Sequence, residues 1–143
     1  MENIDRGIFQ YIFNSLVHNF IFISTYSLYF FFIHFKYTDK FGEDGNFVAK
    51  KKAIEEFDAA LPILLRKCPT VLAITGDHST PCALKGHSWH PQPVLLHSSY
   101  SGSDKLERFT ETGANSGSLG VFEAKYLIRL MQANARMFDK FGA

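Results

Sequence analysis

The run VLAITGDHSTPCALKGHSWHPQPVLLHS, residues 71–98, decides how the chain is read. It opens on an apolar segment, VLAIT (71–75), short and uncharged, as expected of a strand buried on both faces. It closes on a second, PVLLHS (93–98). Between them lies a stretch rich in Pro, Gly, Ser and Thr, which predicts irregular backbone. That stretch carries the adjacent pair Asp77 and His78, then His87 and His90. In open α/β sheets, loops leaving the ends of buried strands are where reactive side chains gather. Neighbouring residues at a strand end project in different directions, so Asp77 and His78 face different parts of one site.

Moving upstream, Phe47 to Lys67 predicts a helix. Val48, Ile54, Phe57, Leu61, Leu64 and Leu65 recur at near-helical spacing, with Lys50, Lys51, Lys52, Glu55 and Glu56 on the wet side. Asn46 is the expected N-cap, and Pro69 marks the end. Before it, TDKFGEDGN (38–46) predicts a polar turn, with Gly42 and Gly45 supplying permissive backbone. LYFFFIHF (28–35) predicts a buried central strand that delivers Asp39 and Glu43 in the following loop. Downstream, residues 98–118 read mostly as loop, and Phe122 to Phe138 as a closing helix. Strands alternating with helices give an α/β class with a mostly parallel sheet flanked by helices.

Composition narrows the function classes. The chain has 143 residues, 46% hydrophobic and 20% charged, which excludes a disordered or collagen-like chain. Fifteen Lys+Arg against 14 Asp+Glu give a net charge of +1, so no nucleic-acid partner is expected. The front end is unusual: 10 of the 15 Phe fall in the first 47 residues, and 29 positions between Arg6 and Lys36 carry no formal charge. That run exceeds the roughly 20 residues that cross a bilayer. Gln10, Asn14, His18, Asn19, Ser24, Thr25 and Ser27 oppose a span, because polar groups are costly in hydrocarbon. Glu2 and Asp5 spoil the positive start of a signal peptide. No membrane partner is expected, and residues 1–27 take no assignment. Cys68 and Cys82, with no second pair, fit two reduced thiols in the cytoplasm.

Asp39, Glu43, Asp77, His78 and His87 are carboxylates and imidazoles without thiolates, a set that suits Mn²⁺, Mg²⁺, Zn²⁺ or Co²⁺ and not an iron–sulfur cluster. Five ligands exceed what one catalytic metal needs, so two divalent metal ions with a phosphoryl oxygen clamped between them are the natural reading. Asp44 reads as a turn-former, and His34 and His97 as packed or hydrogen-bonded strand residues. His90 stays open between a ligand, a group that orients a ligand, and an ordinary loop residue.

TGDHSTP (75–81), KGHSWHPQPVLL (85–96) and KYTDKFGEDGNF (36–47), with the closing KFGA (140–143), resemble the C-terminal part of 2,3-bisphosphoglycerate-independent phosphoglycerate mutases. The likeness is closer to the archaeal-type branch, within the alkaline phosphatase superfamily. It covers residues 28–143 and implies a partial alkaline-phosphatase-like core, with 1–27 as a separate unassigned segment. Such enzymes interconvert 3-phosphoglycerate and 2-phosphoglycerate in glycolysis and gluconeogenesis, through a phosphoserine, on a two-metal site. The resemblance implies one metal on Asp39, Glu43 and His87 and another on Asp77 and His78, with His90 at most orienting a ligand. Where the superfamily usually has Asp, three residues, then His, this chain has Glu43. A second carboxylate is harder and favours Mn²⁺ or Mg²⁺ over Zn²⁺.

The family's serine nucleophile and an Asp of the second metal site would precede residue 28, and nothing in 1–27 resembles them. The inserted substrate domain also has no counterpart here. The chain is therefore expected to be inactive as a mutase alone and to require a separate N-terminal half. Two alternatives stand beside this reading. One is another phosphatase or phosphomutase of the same superfamily. The other is a non-catalytic remnant or a membrane-tethered metal-binding module.

Overall fold

Residues Gly45 and Asn46 join two helices, and their backbone explains why both exist. The computed structural model describes residues 19–25 and 28–138. In it TDKFGEDGN is not a simple turn: α1 spans Tyr37–Glu43. Gly45 takes a φ of +68°, the left-handed conformation that glycine adopts without penalty. Its N–H reaches the Gly42 carbonyl at 3.0 Å, and the Asn46 N–H reaches the Phe41 carbonyl at 2.9 Å. That pair of bonds is the Schellman closure of α1, which satisfies carbonyls the helix end would otherwise orphan. Asn46 then starts α2, Phe47–Leu65, its Oδ1 accepting the Ala49 N–H at 3.0 Å as the sequence predicts.

The chain divides into two units, residues 1–63 with 80–87, and 64–79 with 88–143. In the first, β1 (Asn19–Thr25) and β2 (Leu28–His34) form an antiparallel pair in the register Asn19↔His34 to Thr25↔Leu28. The expected buried central strand is thus one arm of a hairpin, with Phe31 52% and Phe32 47% exposed. His34 stacks on Phe32. Below the hairpin, Phe35 packs on Tyr37 and on Phe57 of α2, and Tyr37 stacks on Phe41. On α2 Ala53 is buried and Phe57, Ala60, Leu61 and Leu64 are half-buried, while Val48, Ile54 and Leu65 lie exposed, contrary to the predicted stripe. Lys51–Glu55 and Lys52–Glu56 pairs line its wet side.

In the second unit, β3 (Val71–Ile74) and β4 (Leu95–Ser98) pair antiparallel, Val71↔Ser98 to Ile74↔Leu95. The mixed α/β class holds, but among the described residues both strand pairs are antiparallel and the expected parallel sheet is absent. Strands joined by long irregular connections can return in either direction, and apolar runs do not encode which. β3 is half-buried along its length, so it is not covered on both faces as predicted. His97 is exposed, not packed. Buried Ser98 organises the far end: its hydroxyl donates to Asn134 at 2.7 Å and accepts the N–H groups of Tyr100 and Ser101.

The predicted loop contains a short helix, α3 (Glu111–Ala114), capped by Thr110, whose hydroxyl accepts the Gly113 N–H. The closing helix is shorter than predicted, a 3₁₀ turn at Ala124–Tyr126 followed by α4, Leu127–Asn134. Among the described residues no helix is long and apolar enough to cross a membrane. The sequence reading of residues 1–18 and of the terminal KFGA lies outside the described residues.

Candidate metal centre

Helical geometry at α1 does what a turn would not: residues four apart share one face, so Asp39 and Glu43 are presented together. Opposite them, in the same unit, stands His87. Its Nε2 lies 3.5 Å from Asp39 Oδ1 and 3.6 Å from Glu43 Oε1. Two ligands of one ion, each bound at about 2.1 Å, sit roughly 3–3.5 Å apart. Each carboxylate oxygen thus lies at a distance from the imidazole nitrogen that two ligands of a shared divalent cation could take up. The donor chemistry agrees, since carboxylates with imidazole suit first-row divalent metals and Mg²⁺.

The three groups differ in their surroundings. The Asp39 side chain is only 11% exposed, whereas those of Glu43 and His87 are 53% and 54% exposed. Asp39 is also the most tightly held. Its Oδ1 accepts the Thr80 hydroxyl at 2.5 Å, and its Oδ2 pairs with Lys36. Such charge-assisted bonds are shorter and stronger than neutral ones and fix the carboxylate plane. Asp44, by contrast, sits exposed at the C-cap of α1, the turn role expected of it.

In the second unit, Asp77 and His78 keep each other's company. His78 Nε2 is 3.5 Å from Asp77 Oδ2, and the His78 N–H donates to Asp77 Oδ1 at 3.1 Å. Asp77 is 70% exposed and His78 28%. The loop that carries them is pinned by an isolated bridge between Ser79 and Ser88, with the Ser88 N–H on the Ser79 carbonyl at 2.9 Å. His90 takes neither a carboxylate nor another histidine in the described contacts. It shares a 2.8 Å hydrogen bond with Ser88 through Nδ1 and stacks under Trp89, which is 85% exposed.

Sequence reasoning gave Thr80 and Lys36 no part in the site and placed Lys50 simply on the wet side of its helix. Lys50, on α2, donates from Nζ to the Thr80 carbonyl at 2.6 Å. No local pattern signals a bond across 30 residues of sequence, so only the fold discloses it.

The metalloenzyme superfamily model matches residues 16–134. Two similar proteins carry the name "Probable 2,3-bisphosphoglycerate-independent phosphoglycerate mutase". One, from Aquifex aeolicus, is 54% identical over 114 residues, which is 80% of this chain and 28% of that protein. The other, from Thermus thermophilus, is 53% identical over the same shares. This chain therefore spans about 28% of the length of these curated relatives. Among solved structures, the PH0037 protein from Pyrococcus horikoshii superposes with a TM-score of 0.72 at 36% identity. That match covers 77% of this chain and 34% of the other.

Proposed function

The chain belongs to the metalloenzyme superfamily, and from that premise we propose that it carries metal-binding machinery of a 2,3-bisphosphoglycerate-independent phosphoglycerate mutase. The observation that carries the reading is the convergence of Asp39 Oδ1 and Glu43 Oε1 on His87 Nε2, at 3.5 and 3.6 Å. The names of the relatives support the reaction class, an isomerase that moves a phosphoryl group between the hydroxyls of 3-phosphoglycerate and 2-phosphoglycerate.

In this proposal Asp39, Glu43 and His87 hold one divalent ion, and Asp77 and His78 hold a second. Mn²⁺ or Mg²⁺ suits the carboxylate-rich first set best, with Zn²⁺ and Co²⁺ as acceptable substitutes. Bound divalent ions supply positive charge that offsets the phosphoryl oxygens as charge shifts in the transition state. The residues of this chain do the holding and orienting. Lys36 and Thr80 fix both oxygens of Asp39. Asp77 lies against the His78 imidazole. His90, tied to Ser88, is at most a group that shapes the loop.

The nucleophile is a serine from outside these 143 residues, on a longer polypeptide or a separate chain, and the assembled enzyme works in the cytoplasm. The test is phosphorus NMR of 3-phosphoglycerate incubated with the purified 143-residue chain and Mn²⁺. The chain alone should leave the substrate unchanged, and adding a mutase segment that bears the serine should produce 2-phosphoglycerate. Enzyme-like turnover by the chain alone would refute the assignment of the nucleophile.

A further inference from the structure

We infer that Thr80 is the positioning residue that aims Asp39 at its metal, held in place by Lys50 and by the absence of a side chain at Gly42. The inference rests on the metal-binding reading given above. Thr80 is 4% exposed, a buried polar side chain whose hydroxyl has been given a partner. Ionised carboxylates only accept hydrogen bonds, so at 2.5 Å the Thr80 hydroxyl donates to Asp39 Oδ1. The same oxygen lies 3.5 Å from His87 Nε2. A carboxylate oxygen has two lone pairs, so an oxygen that accepts from Thr80 can also coordinate a cation. The hydroxyl therefore selects which way the ligand atom points.

Two further elements fix Thr80 itself. From α2, the Lys50 ammonium donates to its carbonyl at 2.6 Å. On α1, Gly42 lies three residues beyond Asp39 and is buried against Thr80. A Cβ at that position would come within 2.9 Å of Thr80 Cγ2 and collide with the Thr80 carbonyl oxygen. Glycine thus lets the helix and the Thr80 backbone approach closely enough for the hydroxyl to reach the carboxylate. Groups that orient metal ligands in this way typically change metal affinity about 10–100-fold when removed.

A packing role for the Thr80 methyl predicts the opposite response from a role for its hydroxyl, which makes a crossed pair of variants decisive. Mn²⁺ binding to the full 143-residue chain is measured by calorimetry, with folding checked by circular dichroism. Thr80→Val, which keeps the methyl, should bind about 10–100-fold more weakly. Thr80→Ser, which keeps the hydroxyl, should stay within about threefold of the parent, less than the loss assigned to an orienting group. Parent-like affinity in Thr80→Val, or a loss in Thr80→Ser as large as in Thr80→Val, would overturn the inference. Should Thr80→Val fail to fold, Lys50→Met takes its place: a loss of about 3–10-fold supports the inference, and parent-like affinity overturns it. If the parent chain itself binds no Mn²⁺, the metal reading falls and takes the inference with it, an outcome distinct from a parent that binds and variants that bind equally.

Discussion

The two carboxylate–histidine groups of this chain are built on opposite plans. Asp39, Glu43 and His87 combine two carboxylates on one helix face with an imidazole from a loop 44 residues beyond Glu43, and the Asp39 carboxylate is nearly buried and braced on both oxygens. Asp77 and His78 are sequence neighbours on a loop, with a carboxylate that is 70% exposed and that meets the adjacent imidazole and backbone N–H. A carboxylate already held in place, as Asp39 is, loses little freedom when a cation arrives, whereas an exposed one such as Asp77 must be ordered at that moment. The set built on the braced Asp39 should therefore bind a divalent ion more tightly than Asp77 and His78 do.

The sharpest way to break that contrast is to remove one member from each side. Asp39→Asn replaces an anionic ligand with a neutral amide and should weaken the tighter Mn²⁺ binding event by more than about 100-fold. If the two groups bind independently, His78→Ala should abolish the weaker event and leave the tighter one within about threefold. Calorimetric titration of each variant checks both. Equal damage from the two substitutions would show that the groups act as one unit and not as two.

The next largest effect concerns the architecture behind the braced set. Gly42→Ala forces a methyl against the Thr80 backbone, an overpacking that should cost about 1–3 kcal/mol by urea denaturation. It should also weaken Mn²⁺ binding through Thr80. A Gly42→Ala variant as stable as the parent would mean that α1 does not need its close approach to Thr80.

The smallest effect is at the helix junction. Asn46→Ala removes the cap on the Ala49 N–H and should cost about 1 kcal/mol, with Mn²⁺ affinity unchanged. Thermal unfolding and the same titration check the two halves of this outcome. A loss of affinity would extend the braced region as far as the start of α2.

The contrast also shows what the sequence could disclose. Asp77 and His78 are adjacent, so their pairing was legible without a fold. The Asn46 cap, the extent of α2 and strands β3 and β4 were legible too, because each rests on a local signal. α1 was not, since Thr38, Asp39, Gly42, Asp44, Gly45 and Asn46 are all turn formers and a seven-residue helix is too short to set up a periodic pattern. Reading that segment as a turn still found Asp39 and Glu43, but missed that helical spacing puts them on one face. Strand direction was equally hidden: aromatic LYFFFIHF suggests a buried strand, yet its partner is the preceding segment, which carries no strand pattern that could be assigned. Thr80 was illegible for a different reason. Its partners Asp39, Gly42 and Lys50 are 30 to 41 residues away, and a threonine in a Ser/Thr-rich loop carries no mark of its burial.

The central claim is that this chain holds divalent metal through Asp39, Glu43 and His87. Its most direct test is a calorimetric Mn²⁺ titration of the purified, metal-stripped 143-residue chain beside its Asp39→Asn variant. The account predicts two binding events in the parent, with the tighter one lost in the variant. No saturable binding in the folded parent, or a tighter event that survives Asp39→Asn unchanged, would contradict it.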